Sequence, residues 1–375
     1  MSKNTHWLLY GASGYTGRLV AKEAVRQGIA PILGGRSLHS LTSVAADYNL
    51  TWRLFDQQQA CPSVLDGVSL VVNCAGPFAE TAPWLARLCV ECGVHYIDIG
   101  GEVSVVQQLL QLDASARSHG VAIVPACGLA SIATDCLAQA LLKKLPTPTH
   151  LRFAVEYCHL PCRGSVESVL LALLGWRKGL SVAAGSLRTA VLSLGCLPLS
   201  RRERKIEVSP WGSKTIQVGF DGQIRHATLF PWPDAFCLYP STQVANIESY
   251  LVLKPWEIRV LKMVPYMSPF LQLPLIQRSM LARLPANYVP KFPIGGQNRI
   301  WAKAISGDHE AQGWLTHKPG QHMSGYDFTV FGVLAVAKRM LANRDHPVGF
   351  CSPAQVAGDD LWHDIVNTEL WVDSQ

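Results

Sequence analysis

The chain has 375 residues, 49% of them hydrophobic and 16% charged, with a formal net charge of +6. That length admits two sizeable cores, and that composition excludes general disorder. Lys and Arg are dispersed, and the one compact basic run, Arg201 to Lys205, contains Glu203, so it is read as a solvated loop and no nucleic-acid surface is expected. Eleven cysteines without a secretory leader before Trp7 point to the reducing cytosol. Cys89 with Cys92, and Cys158 and His159 with Cys162, fall short of a four-ligand zinc set. No metal is expected, and apolar packing is the favoured reading of most thiols.

Trp7 to Tyr10 is a short apolar run with the character of a buried parallel strand. Gly11, Gly14 and Gly17 then open a helix over Arg18 to Gln27, as a phosphate cradle requires. Gly11 permits the tight turn, Gly14 lets a pyrophosphate approach the backbone, and Gly17 lets helix and strand pack closely. Gly11, Ser13, Gly14, Tyr15, Thr16 and Gly17 are therefore candidate cofactor-binding residues. After a second strand, Pro31 to Leu33, an NAD site would present a carboxylate to the ribose about 20 residues beyond the glycines. Here Gly34, Gly35, Arg36 and Ser37 stand instead. The planar fork of Arg36 suits a ribose phosphate and Ser37 adds a hydroxyl, so NADP is the expected cofactor.

Ser40 to Tyr48 reads as a helix and Thr51 to Phe55 as a strand. Pro62 begins a short helix, Leu70 to Asn73 a strand, and Cys74 to Phe78 a sharp turn. A helix over Ala82 to Cys92 leads to a strand at His95 to Ile99, followed by a helix over Val105 to Ser118 and a strand at Val121 to Pro125. This alternation predicts a Rossmann-type parallel sheet. Ile132 to Leu145 is predicted helical, Leu151 to Tyr157 a strand, and Ser165 to Leu174 a helix. Strand-length runs at Ile206 to Val208, Lys214 to Val218, Ala227 to Phe230, Val244 to Leu253, Ile300 to Ser306 and Ala311 to Thr316 change the rhythm to that of an α+β domain. A helix over Gly332 to Leu341 returns the chain to the first domain.

Arg259 to Leu284 is apolar, aromatic and interrupted by prolines. It lacks the uninterrupted run of about 20 residues a transmembrane helix needs, and is expected to serve as a lid, an oligomer face or a lipid-facing patch. With the apolar Leu187 to Leu199 it leaves peripheral membrane contact or a lipid-like substrate open.

The loop Asn73, Cys74, Ala75 and Gly76 is expected beside the nicotinamide, with Pro77 and Phe78 lining the substrate. Asp98 and Glu102 are the candidate acids, since a turn through IGG can bring both carboxylates to one cleft. Tyr96, Cys127, Ser131 and Asp135 are candidate substrate-lining residues, and Asp135 is also a candidate helix cap.

Together GASGYTG at Gly11 to Gly17, GGRS at Gly34 to Ser37, NCAGPF at Asn73 to Phe78 and GVHYIDIGGE at Gly93 to Glu102 resemble the saccharopine dehydrogenase-like oxidoreductases, including trans-acting enoyl reductase-like members. CGLASIATD at Cys127 to Asp135, Gly325 to Thr329 and SPAQVAG at Ser352 to Gly358 are looser matches. Ala130 stands where many relatives carry an aspartate, and Ala133 where proline is common. The resemblance implies a nicotinamide-binding Rossmann domain with an inserted substrate domain, here 1–130, 131–324 and 325–375. The function expected from these readings together is NADP-dependent hydride transfer between the nicotinamide and a small or lipid-like carbonyl, imine or activated alkene, and a homo-oligomer is expected. Saccharopine-like carbon–nitrogen chemistry and a non-catalytic NADP-binding interaction protein are the alternatives.

Overall fold

The computed structural model describes residues 6–157, 197–271, 279, 297–318, 321, 323–343 and 345–374. The helix expected at Ser165 to Leu174, the group Cys158, His159 and Cys162, most of Leu187 to Leu199 and most of the stretch from residue 272 to Leu284 lie outside the described residues.

Among the described residues there are two sheets. The first has seven strands in the order β15-β6-β5-β4-β1-β2-β3: Gly349–Phe350, Ala122–Val124, His95–Asp98, Val68–Asn73, His6–Tyr10, Ile32–Gly35 and Trp52–Leu54. Every pairing in it is parallel. Helices cover both faces, so Trp7 to Tyr10 are all buried, as an apolar run without alternation demands. Helix α1, Tyr15–Arg26, buries Gly17, Val20, Ala21 and Ala24 along one stripe. Helix α2, Leu38–Tyr48, starts on Ser37, whose hydroxyl accepts the Ser40 amide, and ends on Asn49 at φ 52. Helix α3, Phe78–Glu91, begins four residues before the expected Ala82 and buries Cys89.

Where one helix was expected over Val105 to Ser118 there are two, α4 at Val103–Leu110 and α5 at Asp113–Ser118. The Asp113 carboxylate accepts the Phe350 amide at 2.7 Å and pairs with Arg117, so the new helix is pinned to β15. That long-range bond is invisible to periodicity.

Among the described residues the second sheet has nine strands, with the path β10-β11-β12-β7-β13-β14-β16 and β8 and β9 off it. In path order these span Thr215–Phe220, Gln223–Leu229, Asn246–Val252, His150–Glu156, Arg299–Ser306, His309–His317 and Thr368–Ser374, with β8 at Leu199–Arg202 and β9 at Lys205–Val208. The Arg201 to Lys205 run is thus the turn of a hairpin, exposed from Arg202 to Lys205 as a solvated run should be. Glu203 and Arg204 make its turn at φ 47 and 68, and the Arg201 guanidinium sits 3.9 Å over the Tyr239 ring. The edge strand β16 follows no run singled out in the sequence.

Helix α6, Leu129–Lys144, is apolar almost all round because it lies between the β13 and β14 face and the helices Gly325–Ala342 and Pro353–Ala357. Helix Gly325–Ala342 opens on a Ser324 and Asp327 capping box. It runs parallel to α1: Tyr326 meets Tyr15 edge to face at 5.1 Å at their starts, and Lys338 reaches Gln27 at their ends.

Candidate functional site

In register, Gly34, Tyr10, Asn73 and Asp98 stand in one row across the carboxyl end of the parallel sheet. Every motif of the first 102 residues hangs from this row, at the edge where open parallel sheets bind their ligands.

The glycine turn is closed tightly. Gly11, at φ 80, donates its amide to Gly34 O at 2.9 Å, and a Cβ there would lie 2.5 Å from the Ala75 nitrogen. A Cβ on Gly17 would lie 2.2 Å from Gly11 O. At Gly14, the exposed N-cap of α1, the nearest atom to a Cβ is 3.3 Å away, so the outer side of the turn stays accessible. Gly11 to Gly17 with the first α1 amides thus fit a pyrophosphate, and the exposed Arg36 at the end of β2 fits a ribose phosphate. Ser37 is committed to capping α2. Ser13, Tyr15 and Thr16 are half-buried on the turn.

The loop after β4 holds Cys74, 8% exposed, whose thiol burial pushes up to about 12, then the half-buried Ala75 and the exposed Gly76. Pro77 and Phe78 are half-buried, and Phe78 packs where a Cβ on Gly100 would be 2.8 Å from its ring. Glu102, also half-buried, brings Oε2 within 3.1 Å of that Cβ position. Phe78 and Glu102 thus meet over Gly100, near Ala75 and Gly76 beside the cradle, and this neighbourhood is the candidate mouth, with Glu102 Oε2 enclosed at its edge.

Asp98 is not on that mouth. It is 1% exposed; Oδ1 accepts the amides of Gly100 (2.9 Å) and Ala126 (3.0 Å), and Oδ2 the Tyr96 hydroxyl (3.0 Å). Burial raises its pKa to about 7 against those three bonds. Tyr96 and Asn73 are wholly buried; the Asn73 amide donates to Tyr96 at 3.0 Å and its oxygen accepts the Ala75 amide at 2.9 Å. Asn73 and Tyr96 thus stand behind the mouth rather than in it.

Cys127 is also wholly buried, and Ser131 is 6% exposed. Asp135, in mid-helix, is enclosed and accepts the Ala354 amide at 2.6 Å, so it caps a different helix, Pro353–Ala357, instead of facing a substrate or starting its own. Ser131 and Asp135 are turned inward because α6 is covered on both sides, and Cys127 is enclosed in the loop before it, its amide held by Asp98 O. Sequence reasoning missed Asp234, buried between Thr134 (3.0 Å) and Ser249 (2.7 Å), and Thr329, whose hydroxyl accepts the Leu129 amide at 3.1 Å and ties α6 to the returning helix. No spacing signal marks Asp234, whereas Thr329 closes the Gly325 to Thr329 motif. A cavity of about 670 Å³ lies against β16 between Lys318 and Trp371 and contains none of these motifs.

Residues 7–124 match the family model of the saccharopine dehydrogenase NADP binding domain. The chain is 29% identical over 148 residues to a trans-acting enoyl reductase of Mycobacterium leprae (strain TN), covering 37% of this chain and 35% of that protein. It is 29% identical over 204 residues to a lipid droplet localized protein of Caenorhabditis elegans, covering 50% and 44%. The match thus spans less than half the length of either relative. Apo saccharopine dehydrogenase (L-Glu forming) from Saccharomyces cerevisiae superposes with a TM-score of 0.62 at 12% identity, covering 99% of this chain and 100% of that one, which shows a shared fold. Residues 7–124 thus resemble the NADP-binding domain of the saccharopine dehydrogenases, and the chain as a whole shares the fold of such an enzyme.

Proposed function

We propose that this chain is an NADP-dependent oxidoreductase that reduces an activated alkene, carbonyl or imine carried by a hydrophobic substrate, with the 131–324 region supplying the substrate side. One observation supports this most: the phosphate cradle and Arg36 share the carboxyl edge of the sheet with a mouth walled by Phe78 and edged by Glu102. Bound NADPH supplies the hydride. The chain's own residues do the rest. The α1 amides and Arg36 hold the phosphates, Ala75 and Gly76 face the reacting end, Phe78 and Pro77 shield it from water, and Glu102 orients the polar end of the substrate or delivers a proton to it. The name of the mycobacterial relative favours an enoyl substrate over the carbon–nitrogen alternative.

The test follows NADPH oxidation and product mass with hydrophobic enones and with amino-acid imines, using deuterium-labelled cofactor. Label appearing in a reduced enone supports the reading, and label appearing only in imine products moves it to the carbon–nitrogen branch. No transfer to either class, nor to metabolites extracted from the native cells, favours the non-catalytic binding protein.

A second reading concerns place. Helix Pro255–Leu271 exposes Trp256, Val260, Met263 and Tyr266 at 52 to 75%, beside exposed Lys254, Arg259 and Lys262. Among the described residues no helix is long and apolar enough to cross a membrane. An apolar stripe with cationic flanks suits resting on a lipid surface, and one relative is named for lipid droplets. Flotation with anionic vesicles should carry the protein upward and fail for Trp256→Asp with Val260→Asp. Equal flotation of both proteins would count against this face.

A further inference from the structure

We infer that Asn73, Tyr96 and Asp98 are positioning residues, a buried hydrogen-bonded chain that sets the backbone of three loops around the nicotinamide end of the cofactor site. The inference rests on NADP binding at this edge.

These side chains stand on the adjacent strands β4 and β5, with Asn73 opposite Asp98. Three polar groups inside a parallel sheet are costly unless every donor and acceptor is satisfied, and apolar residues of equal volume would fill the space at no such cost. Here the bonds run on from side chain to side chain and end outside the strands. Asn73 Oδ1 takes the Ala75 amide, and Asp98 Oδ1 takes those of Gly100 and Ala126, one in each of the loops following β4, β5 and β6.

Two details place the purpose in the loops rather than in the sheet. Ala126 sits at φ 60, a conformation that residues with a side chain seldom adopt, and its amide is the one Asp98 holds. Thr81, on the first turns of α3, donates to Ala75 O at 2.5 Å, so both backbone polar groups of Ala75 are clamped by side chains. The glycine turn is anchored separately, through Gly11 N to Gly34 O. The phosphate end and the reacting end of the site therefore have separate hydrogen-bonded supports, in van der Waals contact only where Gly11 meets Ala75.

The experiment uses the full chain with Tyr96→Phe, which keeps the ring and removes the hydroxyl, and Thr81→Val, which keeps the shape of a half-buried side chain. NADPH binding is titrated by its fluorescence, and adenosine 2′,5′-bisphosphate, which lacks the nicotinamide, is measured by competition. Both variants should bind NADPH roughly tenfold more weakly, the loss of one well-supported bond. The bisphosphate should change by less than about twofold on the same argument, and the emission of bound NADPH should move toward that of free NADPH. Parallel loss of both ligands would make the chain merely structural and overturn the inference, as would native NADPH affinity in both variants. A native protein that binds neither ligand would instead overturn the cofactor reading itself, and this inference with it.

Discussion

The two sheets solve the same burial problem differently. The central strands of the parallel sheet are covered on both faces, so they are largely apolar apart from Asn73, Tyr96 and Asp98, and the candidate chemistry is pushed to the carboxyl edge, where Gly11, Arg36, Ala75 and Gly100 stand in loops. The second sheet is covered by α6 on one face, where Ala302, Ala311 and Leu315 are buried. Its other face carries Trp301, Trp314 and Trp371 directly opposite one another on β13, β14 and β16. Beside them Glu156 pairs with both Arg225 and Arg299. A sheet whose function sits at its end writes short motifs into its turns, whereas one that works by shape writes only an alternating pattern.

The largest expected break of this contrast is Gly17→Ala. Its Cβ would sit 2.2 Å from Gly11 O and 2.9 Å from the Ala12 Cα, so α1 must shift. About 3 kcal/mol of stability should go, and NADPH affinity should fall roughly a hundredfold because the amides that meet the pyrophosphate move with the helix. Calorimetry and fluorescence titration check the two losses separately, and full affinity in a folded variant would mean the turn is not the cradle.

Between the two sheets lies a buried acidic neighbourhood. Burial lifts Asp98 to about 7 and Asp135 and Asp234 to about 6, and all three also raise the Cys237 thiol, to which burial contributes most. The unfolded chain releases these protons near the ordinary aspartate value, so their contribution to stability is complete below about pH 4 and is lost as the pH rises through 6 to 7. Asp234→Asn should remove its share of that fall, on the order of 3 kcal/mol between pH 4 and 7. Denaturant melts of native and variant protein across that range would show it, and identical slopes would refute it.

Smaller is the effect of Arg36→Ala. Losing a charge-assisted contact should cost NADPH about 1.5 kcal/mol and leave NADH unchanged, the low end of the range because Arg36 is exposed and screened. Equal dissociation constants for the two cofactors in the native protein would reject Arg36 as the discriminator. Smallest is Trp371→Ala, which unstacks a ring 6.0 Å from Trp314 at 18° on the sheet edge. About 1 kcal/mol of stability should be lost with no change in NADPH binding, and altered binding would show that the two sheets are coupled after all.

Much of the parallel sheet was legible in the chain. Trp7 to Tyr10 and Leu70 to Val72 read as strand because a strand buried on both faces needs an apolar run, and His95 to Ile99 followed from the strand and helix alternation. The cradle read because close backbone approach admits only glycine at Gly11 and Gly17. The acids read less well. Asp98 and Glu102 stand four residues apart and look equivalent in sequence, yet one is enclosed with its oxygens occupied and the other edges the mouth. The break between α4 and α5 and the inward turn of Asp135 depend on partners more than 200 residues away, Phe350 and Ala354.

The amino-acid sequence by itself determined the local chemistry: where glycine is required, where a guanidinium replaces a carboxylate after β2, and which runs must be buried. These follow from backbone sterics and side-chain solvation, which act within a few residues. Only the tertiary structure decided which polar side chains face the mouth and which hold its loops. A buried hydrogen bond depends on which strand ends and helix starts meet, and in this fold the meeting places of α6, β4, β5 and β15 are set by sheet order rather than by spacing along the chain.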